Sequence, residues 1–170
     1  MPIKLYYQIT LRNRQGRVLR RTHRRRAHSY LKGWAQLLSN WMKGSTSLLE
    51  TITDTGGVAR NPTNTVNQLL ASGPVNNALY GPVVGTGSTA VSISDYKLAT
   101  QIAEGTGSGQ LTHQATTHVA VAVEGSTASW KLSRAFANGS GGSITINEVG
   151  LYIISNDGSA RYFAAIRDLV

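Results

Sequence analysis

The residues able to do chemistry here are few and dispersed: the 170-residue chain holds eight carboxylates, four histidines and no cysteine. Thiolate nucleophiles, disulfides and thiolate metal sites are therefore excluded at once. His23 and His28 lie in an arginine-rich run, while His113 and His118 fall five apart on an expected strand and so point to opposite faces, which spoils a shared metal site. The glycine-rich stretches lack the Gly-Lys-Ser/Thr of a phosphate loop, and no Gly-x-Ser-x-Gly elbow occurs. Glu148 and Asp168 can approach each other across the last hairpins, where a carboxylate at an edge or bulge is usually structural. The expectation is a non-enzymatic chain with no cofactor, no metal and no small-molecule substrate.

Charge is the one strong chemical signal. The net charge is +9, and residues 1–43 carry eleven Lys and Arg with no acid, which leaves the remainder slightly acidic. Arg17, Arg20, Arg21, Arg24, Arg25 and Arg26 are the densest group and form the candidate partner-binding set. Such asymmetry points to an acidic partner, either a protein surface or nucleic acid, against the plainer reading of a solvated basic face. Helix-turn-helix, zinc and RNP-type signatures are missing, so phosphate contact would be sequence-independent.

The elements that must position these arginines are legible at the N-terminus. Ile3, Leu5, Tyr7, Ile9 and Leu11 alternate with polar residues, Asn13-Arg14-Gln15-Gly16 is a turn, and Arg17 onward returns, giving a hairpin arm over residues 1–28. Its second strand carries arginine on both faces and is expected to be exposed or docked on a partner. The apolar row favours a protein partner, because nucleic acid would leave it unused. A body over residues 29–170 follows. Ser29 is a good N-cap for a helix over 29–43, in which Tyr30, Leu31, Trp34, Leu37, Leu38, Trp41 and Met42 recur at helical spacing before Gly44 and are expected to cover the open face of a sheet.

Beyond the helix, Leu48, Leu49 and Ile52 suggest a short strand before Gly56-Gly57, and residues 45–80 otherwise read as a long surface loop. Val83-Val84 enter a turn, and Ser94 or Asp95 caps a short helical turn through Leu98. Gly105 to Gly109 is a flexible link into a strand over His113 to Val123. Ala128 to Ala137 follows with Trp130 on an apolar face. Ser143 to Ile154 changes parity near Asn147-Glu148, where a bulge beside Gly150 would keep both apolar sets buried. Ala160 to Val170 returns through Ser155-Asn156-Asp157-Gly158. Seven or eight strands and one amphipathic helix make a mainly β chain of antiparallel β-sandwich pattern. A glycan-binding face is disfavoured, since Trp34 and Trp41 fall on the helix stripe and Trp130 on an apolar strand face. No apolar run reaches the roughly 18 residues of a membrane span, and no signal-peptide core is visible, so a soluble, unexported protein is expected.

Three passages together resemble virion structural proteins of tailed bacteriophages: RRTHRRRAHSYLKGWAQLL, VVGTGSTAVSISDYKLATQI and FANGSGGSITINEVGLYIISNDGSARYFAAIRDLV. The shared plan is a hairpin, a helix entered through a Ser, a Gly-Thr-Gly turn followed by Ser-Asp-Tyr-x-Leu, and an Asn-x-Ser-Gly-Gly-Ser strand ending in Glu-Val-Gly-Leu-Tyr. The resemblance implies a β-sandwich or jelly-roll subunit made in the host cytoplasm and incorporated in the virion head, neck or tail. Its implied partners are other virion subunits, including copies of itself, with no membrane; a nucleic-acid-binding module using the arm is the alternative.

Overall fold

The computed structural model describes residues 4–27, 29–43, 50–62, 69–125 and 127–170, with backbone alone for 42 and 43. Ile3, His28, Gly44, Leu48, Leu49 and the Met42 side chain, all named above, lie outside the described residues. The chain is mainly β, with one short helix and small antiparallel sheets. In order the elements are β1 (Tyr6–Tyr7), β2 (Thr10–Arg12), β3 (Val18–Arg21), β4 (Arg25–Arg26), α1 (Lys32–Lys43), β5 (Ile52–Thr53), β6 (Ala59–Arg60) and β7 (Gly81–Gly85). Then come β8 (Thr112–His113), β9 (Thr117–Glu124), β10 (Thr127–Ser133), β11 (Phe136–Ala137), β12 (Glu148–Asn156) and β13 (Ala160–Leu169).

The organising sheet is β13-β12-β7. The hairpin β12–β13 forms where the Asp-Gly turn signal placed it, with Asn156 opposite Ala160 and Gly158 at φ +103°. The rest of the sheet differs from expectation. Its third strand is β7, in which Val83 and Val84 are buried core residues and not the start of a turn. Ala128 to Ala137, read from the sequence as one strand before Ser143, is not in this sheet and is split in two: β10 joins β9, and β11 joins β8. Arg134 breaks it by turning its guanidinium onto main-chain carbonyls, donating to Gln114 (2.7 Å), Pro74 (2.9 Å), Tyr80 (3.0 Å), Pro82 (3.3 Å) and Asn77. That bouquet ties down residues 74–82, part of the expected long loop.

The register break expected near Asn147-Glu148 is also displaced. β12 begins only at Glu148, and the pairing slips between Leu151 and Tyr152, where Ala165 of β13 is the extra residue. The Ala165 carbonyl accepts from the Leu31 N–H at 3.0 Å, so the bulge serves the segment docked on the outer edge of β13. That docking shifts the helix. Ser29 is not its cap; Tyr30 bridges Ile166 in extended conformation and α1 starts at Lys32. Leu37 packs with Ile52 and Phe163 and Trp34 joins the cluster of Ile153, Ala165 and Ile166, so the helix does lie against the sheet. Leu38 is half-buried, but Trp41 is 49% exposed and not a core residue.

Short pieces elsewhere are closed by their own side chains. Asp54 Oδ1 accepts from the Gly56 and Val58 N–H groups, each at 2.9 Å, and shapes the β5–β6 hairpin. Asn138 and Ser140 bond each other and the Gly142 carbonyl, so Asn-x-Ser-Gly-Gly is a turn, and Ile144 and Ile146 pack on Val84, Ile102 and Leu111 without forming a strand. Residues 92–95 form a simple turn, and the helical turn expected from Ser94 or Asp95 through Leu98 does not form. Residues 105–110 fold into a loop held by Gln110 and not a free link. The described strands do not close into a sandwich or jelly roll, and no described helix is long and apolar enough to cross a membrane.

Candidate functional site

On β12, Glu148, Gly150 and Tyr152 share one face by strand alternation, and Arg167 of β13 and Val83 of β7 lie opposite Gly150. Glu148 is fully buried. Its Oε1 accepts from the N–H groups of Thr100 (2.7 Å) and Gly87 (3.2 Å), and its Oε2 from Ala99 N–H (3.0 Å) and Arg167 Nε–H (2.8 Å). Burial alone would raise this carboxyl, but the Thr100 N–H, Arg167 and the Ala99 N–H outweigh it and hold the group below the ordinary glutamate range. Arg167, 2% exposed, continues to Asp95 at 2.6 Å and to Thr89, while Tyr152 Oη accepts from the Leu98 N–H at 2.6 Å. One carboxylate thus welds the 87–100 loop onto the sheet. With both oxygens saturated and no exposure, it is placed to hold backbone and not to meet a substrate.

The glycines of this region are required by the same network. A Cβ on Gly85 or Gly87 would stand 2.5 Å from Glu148 Oε1, and one on Gly150 would stand 2.9 Å from Leu98 Cδ2. Gly-Thr-Gly is therefore a close-approach motif. Sequence reasoning noticed Glu148, Asp95 and this turn separately but gave Arg167 no role. The expected Glu148–Asp168 approach is replaced by Glu148–Arg167.

A second polar cluster surrounds His113. Its Nδ1 lies 2.8 Å from Glu104 Oε2 and 3.0 Å from the Leu111 carbonyl, and both are acceptors, so this nitrogen carries the proton. Burial lowers the imidazole pKa, more than the Glu104 hydrogen bond raises it. The contact is therefore a neutral imidazole donating to a carboxylate. His118 sits on the separate, exposed β9. Among the described residues no group of three or more His, Asp or Glu is placed to hold a metal.

The surfaces hold the other candidates. The arm is a ribbon in two ladders, pairing Tyr6 with Arg26 and Tyr7 with Arg25, then Thr10 with Arg21 and Leu11 with Arg20. Leu5 and Tyr7 pack against Ala27, Ile153, Ala165 and Ile166, and Tyr7 Oη donates to the Leu169 carbonyl at 2.7 Å, so the base of the arm sits on the chain's own body. Ile9 is half-buried and Leu11 exposed. Arg17, Arg20, Arg21, Arg24, Arg25 and Arg26 are all exposed, and none forms an ion pair among the described residues. Arg24 lies over the Tyr6 ring, 4.3 Å from its centroid.

The second surface was missed. β9–β10 is a two-stranded ribbon whose Val119, Val121, Val123 and Trp130 are each half or more exposed. No family model matches the chain, and neither a curated protein nor a solved structure matches it.

Proposed function

We propose that this chain is a non-enzymatic structural subunit of a tailed-bacteriophage virion, made in the host cytoplasm and assembled by protein–protein contacts in a symmetric head, neck or tail. A sandwich or jelly-roll body, with its second layer completed by neighbouring subunits, belongs to this reading. The observation that carries it is the convergence of the resembling passages. Gly85-Thr86-Gly87, Asp95 and Leu98, Glu148 to Tyr152 and Arg167 are far apart in sequence yet meet in one buried network. Motifs that converge on architecture, with their carboxylate saturated, suit a building block.

The β9–β10 ribbon supplies the contact surface. A two-stranded hairpin is marginal in water unless something packs on it, and this one presents valines and a tryptophan, the residue class that anchors interfaces. The half-exposed Trp41 offers a smaller anchor. To test the reading, tailed particles from cells carrying the gene are banded on a density gradient, treated with DNase and washed in high salt. The chain is expected in the particle band at several copies per particle. Recovery only in the soluble fraction, at the sedimentation of a monomer, overturns it.

A further inference from the structure

We infer that the outward face of the N-terminal arm binds the phosphodiester backbone of nucleic acid, without sequence preference. Strand alternation puts Tyr6, Thr10 and Arg12 on the face opposite Tyr7 and Leu11, and cross-strand pairing adds Arg26 and Arg21 to it. Arg24, stacked over Tyr6, joins them. That face carries Arg12, Arg21, Arg24 and Arg26 along the two ladders of the ribbon. From Tyr6 to Arg12 it runs about 20 Å, the length over which one strand of a duplex presents about six phosphates.

Two observations select the partner. The first is the fate of the apolar row, the feature that favoured a protein. Leu5 and Tyr7 are already spent on the chain's own sheet, so the free face offers a protein only Tyr6, with Arg24 over its ring, and Val18 opposite Arg12 near the tip, as apolar contacts among its arginines. The second is the supply of carboxylates. Asp54, Asp95, Glu104, Glu148 and Asp157 are bonded to Arg60, Arg167, His113, Arg167 and Arg161, and Glu50 and Asp168 are also engaged. Glu124 is the one carboxylate with no bonded partner among the described residues, so another copy of this chain has little free carboxylate to set against the arm. A dense anion of another kind suits the arm better, because guanidinium groups match phosphate oxygens bidentately.

The inference concerns the isolated chain and stands whether or not the virion reading does. The purified full chain is titrated against a fluorescent 24-base-pair duplex of arbitrary sequence, as DNA and as RNA, by anisotropy at several salt concentrations. Four phosphate contacts predict a slope of log K on log salt near −3.6, a loss of about 100-fold or more between 50 and 200 mM. The exposed-arginine variant R12Q/R21Q/R26Q should keep its melting temperature and lower the slope to about −1, whereas K97Q/K131Q, on the body, should leave it unchanged. Three results overturn the inference: no binding to either duplex at 50 mM salt, equal slopes for the two variants, or tighter binding to poly-L-glutamate than to the duplexes. The last would make an acidic protein the partner.

Discussion

Replacing Glu148 by glutamine keeps the shape of the side chain and removes its charge, which isolates the weld between loop and sheet. The four groups aimed at Glu148 are all donors, two to each oxygen. A carboxamide has one acceptor oxygen, so in either flip its NH2 faces two donors: the Gly87 and Thr100 N–H groups, or Ala99 N–H and Arg167 Nε–H. Two orphaned buried donors cost about 1–3 kcal/mol each, and breaking a buried ion pair from one side costs about 3–5 kcal/mol. These costs overlap, because Arg167 keeps Asp95 at 2.6 Å. The expected loss is about 3–5 kcal/mol, or roughly 6–20 °C in Tm for a chain of this size, read by calorimetry and by urea midpoint at pH 7. Glu124→Gln, at an exposed carboxylate with no partner among the described residues, is the control and should melt with the wild type. The gap between wild type and Glu148→Gln should narrow in acid as Glu148 itself is protonated. A Glu148→Gln variant melting within 2 °C of wild type, about 1 kcal/mol or less, would refute the argument that the network holds the loop.

Gly87→Ala should destabilise by about 1–3 kcal/mol, because its Cβ would meet Glu148 Oε1 at 2.5 Å and Ala99 Cβ at 2.8 Å; an unchanged urea midpoint would show that the turn shifts freely. Phe163→Ala, at a fully buried position, should cost about 3–5 kcal/mol, while Trp41→Ala, 49% exposed, should cost clearly less; the reverse order in thermal melts would remove α1 from its position on β13. Stability should also fall in acid in two stages. The pKa of His113 is lowered in the folded chain, so its contribution is complete above the unfolded value of about 6.5 and is lost as pH falls through the folded one. Glu148 and Asp54 are likewise lowered, against burial and through their hydrogen bonds and arginine partners, and their contribution fades below about pH 4. His113→Gln should flatten the first stage alone, and wild-type stability that is level from pH 7 to 5 would contradict this.

Features that depend on neighbouring residues were legible in the sequence. Asn13 to Gly16 and Asn156 to Gly158 turn the chain where the residue types demand, with Gly16 and Gly158 at positive φ, and the 3.6-residue stripe around Leu37 makes a helix. The basic arm and its alternating row were equally visible, because composition and period are local properties. What the sequence could not show was which surfaces meet. β7 is buried almost throughout, so it shows no alternation, and two glycines made it look like a turn. Ser29 has the chemistry of a cap, yet hydrogen bonds from the outer edge of β13 hold residues 29–31 extended and delay the helix. Trp130 and its valines alternate like a core strand, but alternation reports that a face is apolar, not that anything covers it. Arg167 shows the limit most sharply. In sequence it is one of the few basic residues outside the arm; only when β13 lies beside β12 does its guanidinium reach Glu148 and Asp95, and only there does burial make that pairing obligatory.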